Sequence, residues 1–186
     1  MRKYADDYEI VYEDDGKGGE KKVVRYIGDF FEVDIKGPEL VKFRRNSLIL
    51  LALVILLHIA GGFIGNRGMY AFYIALPYVF TFLPLYFLVD SALRLPKEKR
   101  SFRRDEVELS FERMKKASTY LLIFLVMAAI GEIILLLFFA NDRNNLEFLF
   151  LSLESFAVVA AYWLLRLQNI INVNESTVKS PHCKGE

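Results

Sequence analysis

The stretch from Ser47 to Gly65 reads SLILLALVILLHIAGGFIG, and His58 is its one ionisable residue. It is the first of four apolar stretches, and each is long enough to cross a bilayer core, which takes about 20 residues. The other three are predicted at residues 68–93, 117–140 and 146–165. Hydrophobic residues make up 54% of the 186-residue chain. We therefore exclude a water-soluble enzyme with one buried core and predict an all-α integral membrane protein with four transmembrane helices.

The connections between these stretches predict how the helices are arranged. Only Asn66 and Arg67 separate the first two stretches, and residues 141–145 separate the last two. Short connections join antiparallel neighbours, so we predict two antiparallel hairpins within a bundle at residues 47–168. The hydrophilic loop at residues 94–116 places Val107, Phe111 and Met114 at helical spacing, which predicts an amphipathic helix leading into the third span.

The two ends of the chain are polar. Residues 1–46 contain short stretches in which apolar and polar residues alternate, as in strands. Glycine-rich turns at residues 14–19 and 28–29 separate these stretches, which predicts a small β-meander. A helix should begin after Gly37. Because such a short segment buries little core, we expect it to lean on the helices, the headgroups or a partner. Residues 169–186 are predicted to form a polar, mostly disordered tail.

Lysine and arginine are distributed very unevenly. Ten lie in residues 1–46, nine in the loop at 94–116 and three in residues 166–186, whereas the two hairpin turns hold only Arg67 and Arg143. The positive-inside rule then places both termini and the central loop in the cytoplasm of a multi-pass cell-membrane protein. The loop at 94–116 has a net charge of +4, which also suits anionic lipid headgroups, although a role in setting topology is the favoured interpretation.

Three ionisable residues lie deep within the predicted spans: His58, Glu132 and Glu154. At 1.5 Å per residue each lies roughly 10–12 Å below the outer surface, so we predict one intramembrane polar cluster built from three helices. Metal binding by this cluster is left open.

Further residues are predicted to lie near this polar cluster or to pack its helices. Tyr73 and Tyr78 of the second span are predicted contributors, and Asp90 is a weaker candidate that we expect to pair with Arg94. Gly61 and Gly65 form a GxxxG pair, which predicts close helix packing.

Three interpretations of the cluster remain open: a structural hydrogen-bond network, a proton or cation pathway, and catalysis such as metal-assisted hydrolysis. The first is favoured, because nothing lines a continuous path and no Glu-x-x-His pair is present. We therefore expect a non-enzymatic membrane component that acts by association, as a subunit, assembly factor or regulator. The alternative is an oligomeric proton or cation conductor.

The expected partners follow from the same features. They are the lipid bilayer and either another membrane protein or further copies of the chain. The one cysteine, Cys183, provides no disulfide framework and no paired metal ligand. We expect neither a cofactor nor a nucleic acid.

Overall fold

A computed structural model of the protein describes residues 4–14, 19–35, 37–98, 101–138 and 145–175. The described chain is mostly helical, with a small strand-containing N-terminal part. The helices are α1 (Gly37–Gly62), α2 (Phe72–Phe80), α3 (Phe82–Leu93), α4 (Arg104–Val107), α5 (Arg113–Phe138) and α6 (Asn145–Asn169). The strands are β1 (Tyr8–Asp14), β2 (Glu20–Tyr26), β3 (Phe30–Val33), β4 (Phe102–Arg103) and β5 (Val173–Glu175).

Within the described residues, three helical segments are long and apolar enough to cross a membrane. They are Phe72–Leu93, which combines α2 and α3, Arg104–Phe138, which runs from α4 through α5, and α6. The first predicted span, at residues 47–65, is not confirmed as a membrane crossing. Its helix α1 ends at Gly62, so its apolar part from Ser47 onward is about 24 Å long, less than the roughly 30 Å of a bilayer core.

The second predicted span is interrupted near its middle. Helix α2 ends at Phe80, and Thr81 separates it from α3. Pro84 explains the break, because proline has no N–H to donate to the carbonyl four residues earlier, at Phe80. At the break, the Thr81 hydroxyl donates to the carbonyl of Pro77 at 3.0 Å.

The connection between the first two predicted spans is longer than the sequence indicated. Helix α1 ends at Gly62 and α2 begins at Phe72, so nine residues separate them instead of Asn66 and Arg67 alone. A 3-10 turn, Arg67–Tyr70, lies in this connection. The predicted tight two-residue turn is therefore wrong.

The N-terminal strands do not form one meander. Strands β1 and β2 pair antiparallel in a two-stranded ribbon, from Tyr8 opposite Tyr26 to Asp14 opposite Glu20. Strand β3 belongs to a different, three-stranded sheet in the order β4-β3-β5. The predicted pairing of β2 with β3 is replaced by long-range pairs, which local alternation cannot reveal.

The three-stranded sheet joins parts of the chain that are far apart in sequence. Phe31 lies opposite Phe102 of the central loop on one side and opposite Glu175 of the C-terminal segment on the other. Val33 continues the second pairing opposite Val173. The N-terminal segment, the central loop and the C-terminal segment therefore meet at the same end of the helices. The prediction of a mostly disordered tail at residues 169–186 is wrong for Val173–Glu175, which form β5, and residues 176–186 lie outside the described residues.

An apolar core lies beneath this sheet. Phe111 stacks on Phe43 with ring centroids 6.3 Å apart and packs against Phe102 at 6.1 Å. Val107, Phe111 and Met114, the apolar face of the loop at 94–116, are buried. The helix at this position begins at Arg104, after β4, and passes through a π-type turn at Glu108–Glu112 into α5.

Tyr26 attaches the two-stranded ribbon to the rest of the protein. Its hydroxyl donates to the carbonyl of Asp29 at 2.8 Å and accepts from the backbone N–H of Arg104 at 3.0 Å. Burial raises the pKa of this hydroxyl, so it remains a donor. Its ring folds back onto Gly28, where a Cβ would lie 2.7 Å from the hydroxyl oxygen.

We expect Tyr26→Phe to loosen the ribbon, because the N–H of Arg104 and the carbonyl of Asp29 both lose a partner, at about 1–3 kcal/mol for each unsatisfied group. Hydrogen exchange followed by mass spectrometry should show at least about fivefold faster exchange across β1 and β2. Tyr12→Phe is the matched control, because Tyr12 is an exposed tyrosine of the same ribbon. Equal exchange in the two variants would show that the hydroxyl of Tyr26 does not hold the ribbon.

Candidate functional site

His58 and Tyr78 form a reciprocal clamp between α1 and α2. The His58 Nε2 atom lies 3.2 Å from the carbonyl oxygen of Tyr78, and the Tyr78 hydroxyl donates to the carbonyl of His58 at 2.5 Å. The two rings stack with centroids 4.0 Å apart. Both residues are buried, so the pair fixes where the two helices cross.

Glu154 of α6 completes this arrangement. The His58 Nδ1 atom lies 3.0 Å from Glu154 Oε1, and both side chains are fully buried. Because a carbonyl oxygen only accepts, Nε2 must carry a proton in order to bond Tyr78. Nδ1 and Glu154 then share one further proton, either as an imidazolium beside a carboxylate or as a neutral imidazole beside a carboxylic acid. In both states the pair has no net charge, which suits a buried position.

Glycines allow the close approach of helices around this pair. A Cβ on Gly61 would lie 3.1 Å from Glu154 Oε1, and one on Gly62 would lie 2.5 Å from the Tyr78 hydroxyl. A Cβ on Gly65 would meet nothing within 4 Å. The predicted Gly61–Gly65 pair therefore does not form a packing surface, because α1 ends at Gly62 and Gly65 leaves the helical face. Gly61, which packs against Glu154 and Phe150, confirms half of the predicted pair, and the other packing glycine is Gly62, against Tyr78.

Glu132 lies elsewhere. Its carboxylate contacts Gly68, whose Cβ, if present, would overlap Glu132 Oε2, and the same Cβ position lies 3.1 Å from Asn66 Nδ2. Its carboxylate also interacts with that of Glu147 in the first turns of α6. Glu132, Asn66 and Glu147 are all buried. They form a second polar group, which we call the Asn66–Glu132–Glu147 group.

The sequence-based expectation of one cluster must be corrected. Glu147 and Glu154 lie on the same helix, about 10 Å apart along its axis at 1.5 Å per residue. Because Glu132 lies beside Glu147, it is about two helical turns from the His58–Glu154 pair. Equal depths were assigned to His58, Glu132 and Glu154 because these depths were counted from assumed helix ends. The connection at residues 63–71 is longer than assumed, and it places Gly68 and Asn66 against Glu132.

Two other candidate residues lie outside both groups. Tyr73 is exposed, and its ring lies near Gly131 of α5. Asp90 pairs with Arg94 at 3.0 Å, the expected i,i+4 ion pair, and it also pairs with Arg113 of α5. Asp90 therefore ties α3 to α5 near the sheet end of the helices.

Sequence reasoning missed Asn66, Glu147 and Gly68. Glu147 looked like an ordinary acidic residue in the first turn of a helix, where the helix dipole favours it. Asn66 looked like a turn residue. The one signal of this group in the sequence was that Asn66 and Gly68 lie close together in the same connection. Nothing in a single sequence shows that this connection contacts Glu132.

No protein-family model, curated protein or solved structure matches the chain significantly. The interpretation of both polar groups therefore depends on their own geometry.

The proton arrangement at His58 predicts the effect of changing Glu154. Glu154→Gln keeps a donor for Nδ1 of a neutral His58, so we expect stability to change by less than about 0.5 kcal/mol. Glu154→Leu leaves Nδ1 without a partner and should lower the free energy of unfolding by about 1–3 kcal/mol. Thermal unfolding of the purified protein in detergent, followed by circular dichroism, measures both. An equal loss in the two variants would contradict the shared-proton arrangement.

Proposed function

We propose that the protein is a non-enzymatic, multi-pass membrane component that acts by association and binds a partner protein through its β1–β2 ribbon. The observation that carries the proposal is an apolar surface on the part of the chain that lies outside the helices. Ile10 and Val24 are opposite each other in the ribbon and are 51% and 61% exposed, and nearby Tyr12 is 63% exposed.

Four membrane crossings are part of the proposal, and the sheet β4-β3-β5 supports them. Strand β3 precedes α1, and β4 follows α3, yet the two strands are paired. If the segment Phe72–Leu93 crosses the bilayer, the chain can reach β4 on the side of β3 only when α1 also crosses. The apolar part of α1 is short, and local thinning of the bilayer accommodates such a mismatch at modest cost.

The charge distribution supports a cytoplasmic position for the sheet and the ribbon. The segments joined by the sheet contain nearly all of the lysines and arginines, and the opposite turns contain Arg67 and Arg143. Under the positive-inside rule both termini then lie in the cytoplasm, with the protein in the cell membrane.

The ribbon has the properties of a recognition element. Within the described residues its sheet contains only β1 and β2, so both outer edges lack a further strand. Two-stranded ribbons are marginally stable alone, and the hydrogen bonds of Tyr8 to Asp105 and of Tyr26 to Arg104 hold this one at its base. An added strand from a partner would extend the sheet and cover the exposed apolar residues.

The charges of the two edges disfavour a symmetric dimer of this chain joined through β2. Strand β2 carries Lys21, Lys22 and Arg25, whereas β1 is acidic, with Glu9 and Asp14 among its residues. Pairing β2 with β2 of another copy would bring like charges together, which is destabilising. The expected partner segment alternates apolar and acidic residues and adds to the edge of β2.

The conductor hypothesis has weaker support. It required His58, Glu132 and Glu154 to act together at one depth, but Glu132 lies with Glu147 about two turns away. The His58–Glu154 pair by itself has a structural explanation, because it closes the clamp between α1, α2 and α6.

The proposal predicts that a photo-crosslinking amino acid at position 12, introduced in native membranes, forms one discrete adduct with another protein. Position 21 is the matched control, because successive side chains of a strand point to opposite faces and Lys21 lies on the other one. Ile10→Ser combined with Val24→Ser should abolish the adduct. The protein identified in the adduct, once purified, should bind the intact chain at least tenfold more tightly than it binds this double variant.

Three results would contradict the proposal. One is an adduct made of two copies of the 21.5 kDa chain, another is labelling of lipid alone, and the third is equal crosslinking from positions 12 and 21.

A further inference from the structure

We propose that the Asn66–Glu132–Glu147 group binds a hard divalent cation such as Ca²⁺, at the end of the helices opposite the three-stranded sheet. The site would fasten the connection at residues 63–71 to α5 and α6. This inference does not depend on the proposed function, because it concerns different residues at the other end of the molecule.

All three polar side chains of the Asn66–Glu132–Glu147 group are buried. Glu132, Asn66 and Glu147 are 0%, 1% and 3% exposed. Within the described residues, five of their polar atoms make no hydrogen bond of ordinary geometry, although Glu132 interacts with Glu147 and Asn66: both oxygens of Glu132, Oε2 of Glu147, and Oδ1 and Nδ2 of Asn66. A buried polar atom without a partner destabilises the folded state, so a ligand at this position would relieve a penalty.

Backbone features at the connection hold the two acidic side chains in place. The backbone N–H of Arg67 donates to Glu147 Oε1 at 2.7 Å, which fixes one oxygen and leaves Oε2 available. Gly68 has no side chain, and this leaves room for the Glu132 carboxylate, which a Cβ would displace. The geometry therefore depends on specific backbone features as well as on the acids.

The oxygen atoms of this group are of the type that hard cations prefer. Carboxylate and amide oxygens without sulfur or imidazole are the ligands of hard cations such as Ca²⁺ and Mg²⁺. Two buried carboxylates repel each other, and a divalent cation neutralises both at once. The exposed side chain of Arg67 is a basic group that acts on Glu147, but its charge cannot replace the missing bonds to Glu132.

The donor set also limits the affinity. The described residues contain no group of three or more His, Cys, Asp or Glu side chains suited to a metal ion, so this site has two carboxylates and one amide. Water or backbone oxygens must supply the remaining ligands of a Ca²⁺ ion, which takes six to eight. We therefore expect a dissociation constant of about 0.1–1 mM, as in extracellular calcium modules.

The test is Ca²⁺ binding by the purified full-length protein in detergent after treatment with a chelator. Isothermal titration should give one saturable site. Ca²⁺ at 100 times the dissociation constant should raise the thermal midpoint by about 5 °C or more, compared with NaCl at equal ionic strength. Glu132→Gln and Glu147→Gln should each weaken binding at least tenfold, because an amide oxygen is a poorer ligand than a carboxylate.

Glu154→Gln is the matched control, since Glu154 is equally buried and lies on the same helix as Glu147. It should retain binding. Titration with Mg²⁺ shows which divalent ion is preferred, and binding of either ion at this site supports the proposal.

The principal competing arrangement is a proton shared between Glu132 and Glu147. It predicts no saturable binding of either divalent ion up to 10 times the expected dissociation constant, together with stability that falls as the pH rises through the range in which the proton is lost. The proposal would be overturned if the unmodified protein showed no saturable binding and this dependence on pH. It would also be overturned if both glutamine variants bound Ca²⁺ as the unmodified protein does.

Discussion

The pairing of β3 with both β4 and β5 is the constraint on which the rest of the structure depends. It fastens the N-terminal segment, the central loop and the C-terminal segment together at one end of the helices. Each helical hairpin must consequently begin and end at that same end. The pairing also positions the apolar core around Phe102 and the attachment of the β1–β2 ribbon at Tyr26.

Polar contacts then hold the helices together at successive depths. Near the sheet, Asp90 pairs with Arg113, and Ser118 donates to Gln168 at 2.8 Å. Further along the helices, His58 bonds both Glu154 and Tyr78. At the opposite end lie Glu132 and Glu147. In lipid, where apolar faces gain little by associating with each other, small residues and interhelical hydrogen bonds give neighbouring helices their specificity.

Hydropathy was sufficient for much of the fold. The long apolar runs predicted helices that can cross a membrane, and three such segments are present. Alternation predicted strands in residues 1–46, and the spacing of Val107, Phe111 and Met114 predicted a buried helical face. The pairing of β3 with β4 and β5 could not be predicted, because it joins residues about 70 to 140 positions apart, and no local pattern encodes such contacts.

The site was predictable only in part. His58 and Glu154 attract attention because ionisable residues are costly in a membrane. The grouping of Glu132 with Asn66 and Glu147 depends on the shape of the connection at 63–71, and the sequence shows only that this connection contains glycine. Errors of a few residues in the helix ends were enough to merge two levels of polar side chains into one.

The central claim is that the sheet end of the molecule lies on one side of the membrane, with the connection at 63–71 on the other. Impermeant maleimide labelling in intact cells tests it most directly, using Lys22→Cys, Glu98→Cys and Arg67→Cys one at a time in a Cys183→Ala background. The account predicts label at position 67 and none at positions 22 and 98 until the membrane is permeabilised. Opposite accessibility of positions 22 and 98 would contradict it, because the chain would then cross the membrane an odd number of times between β2 and β4.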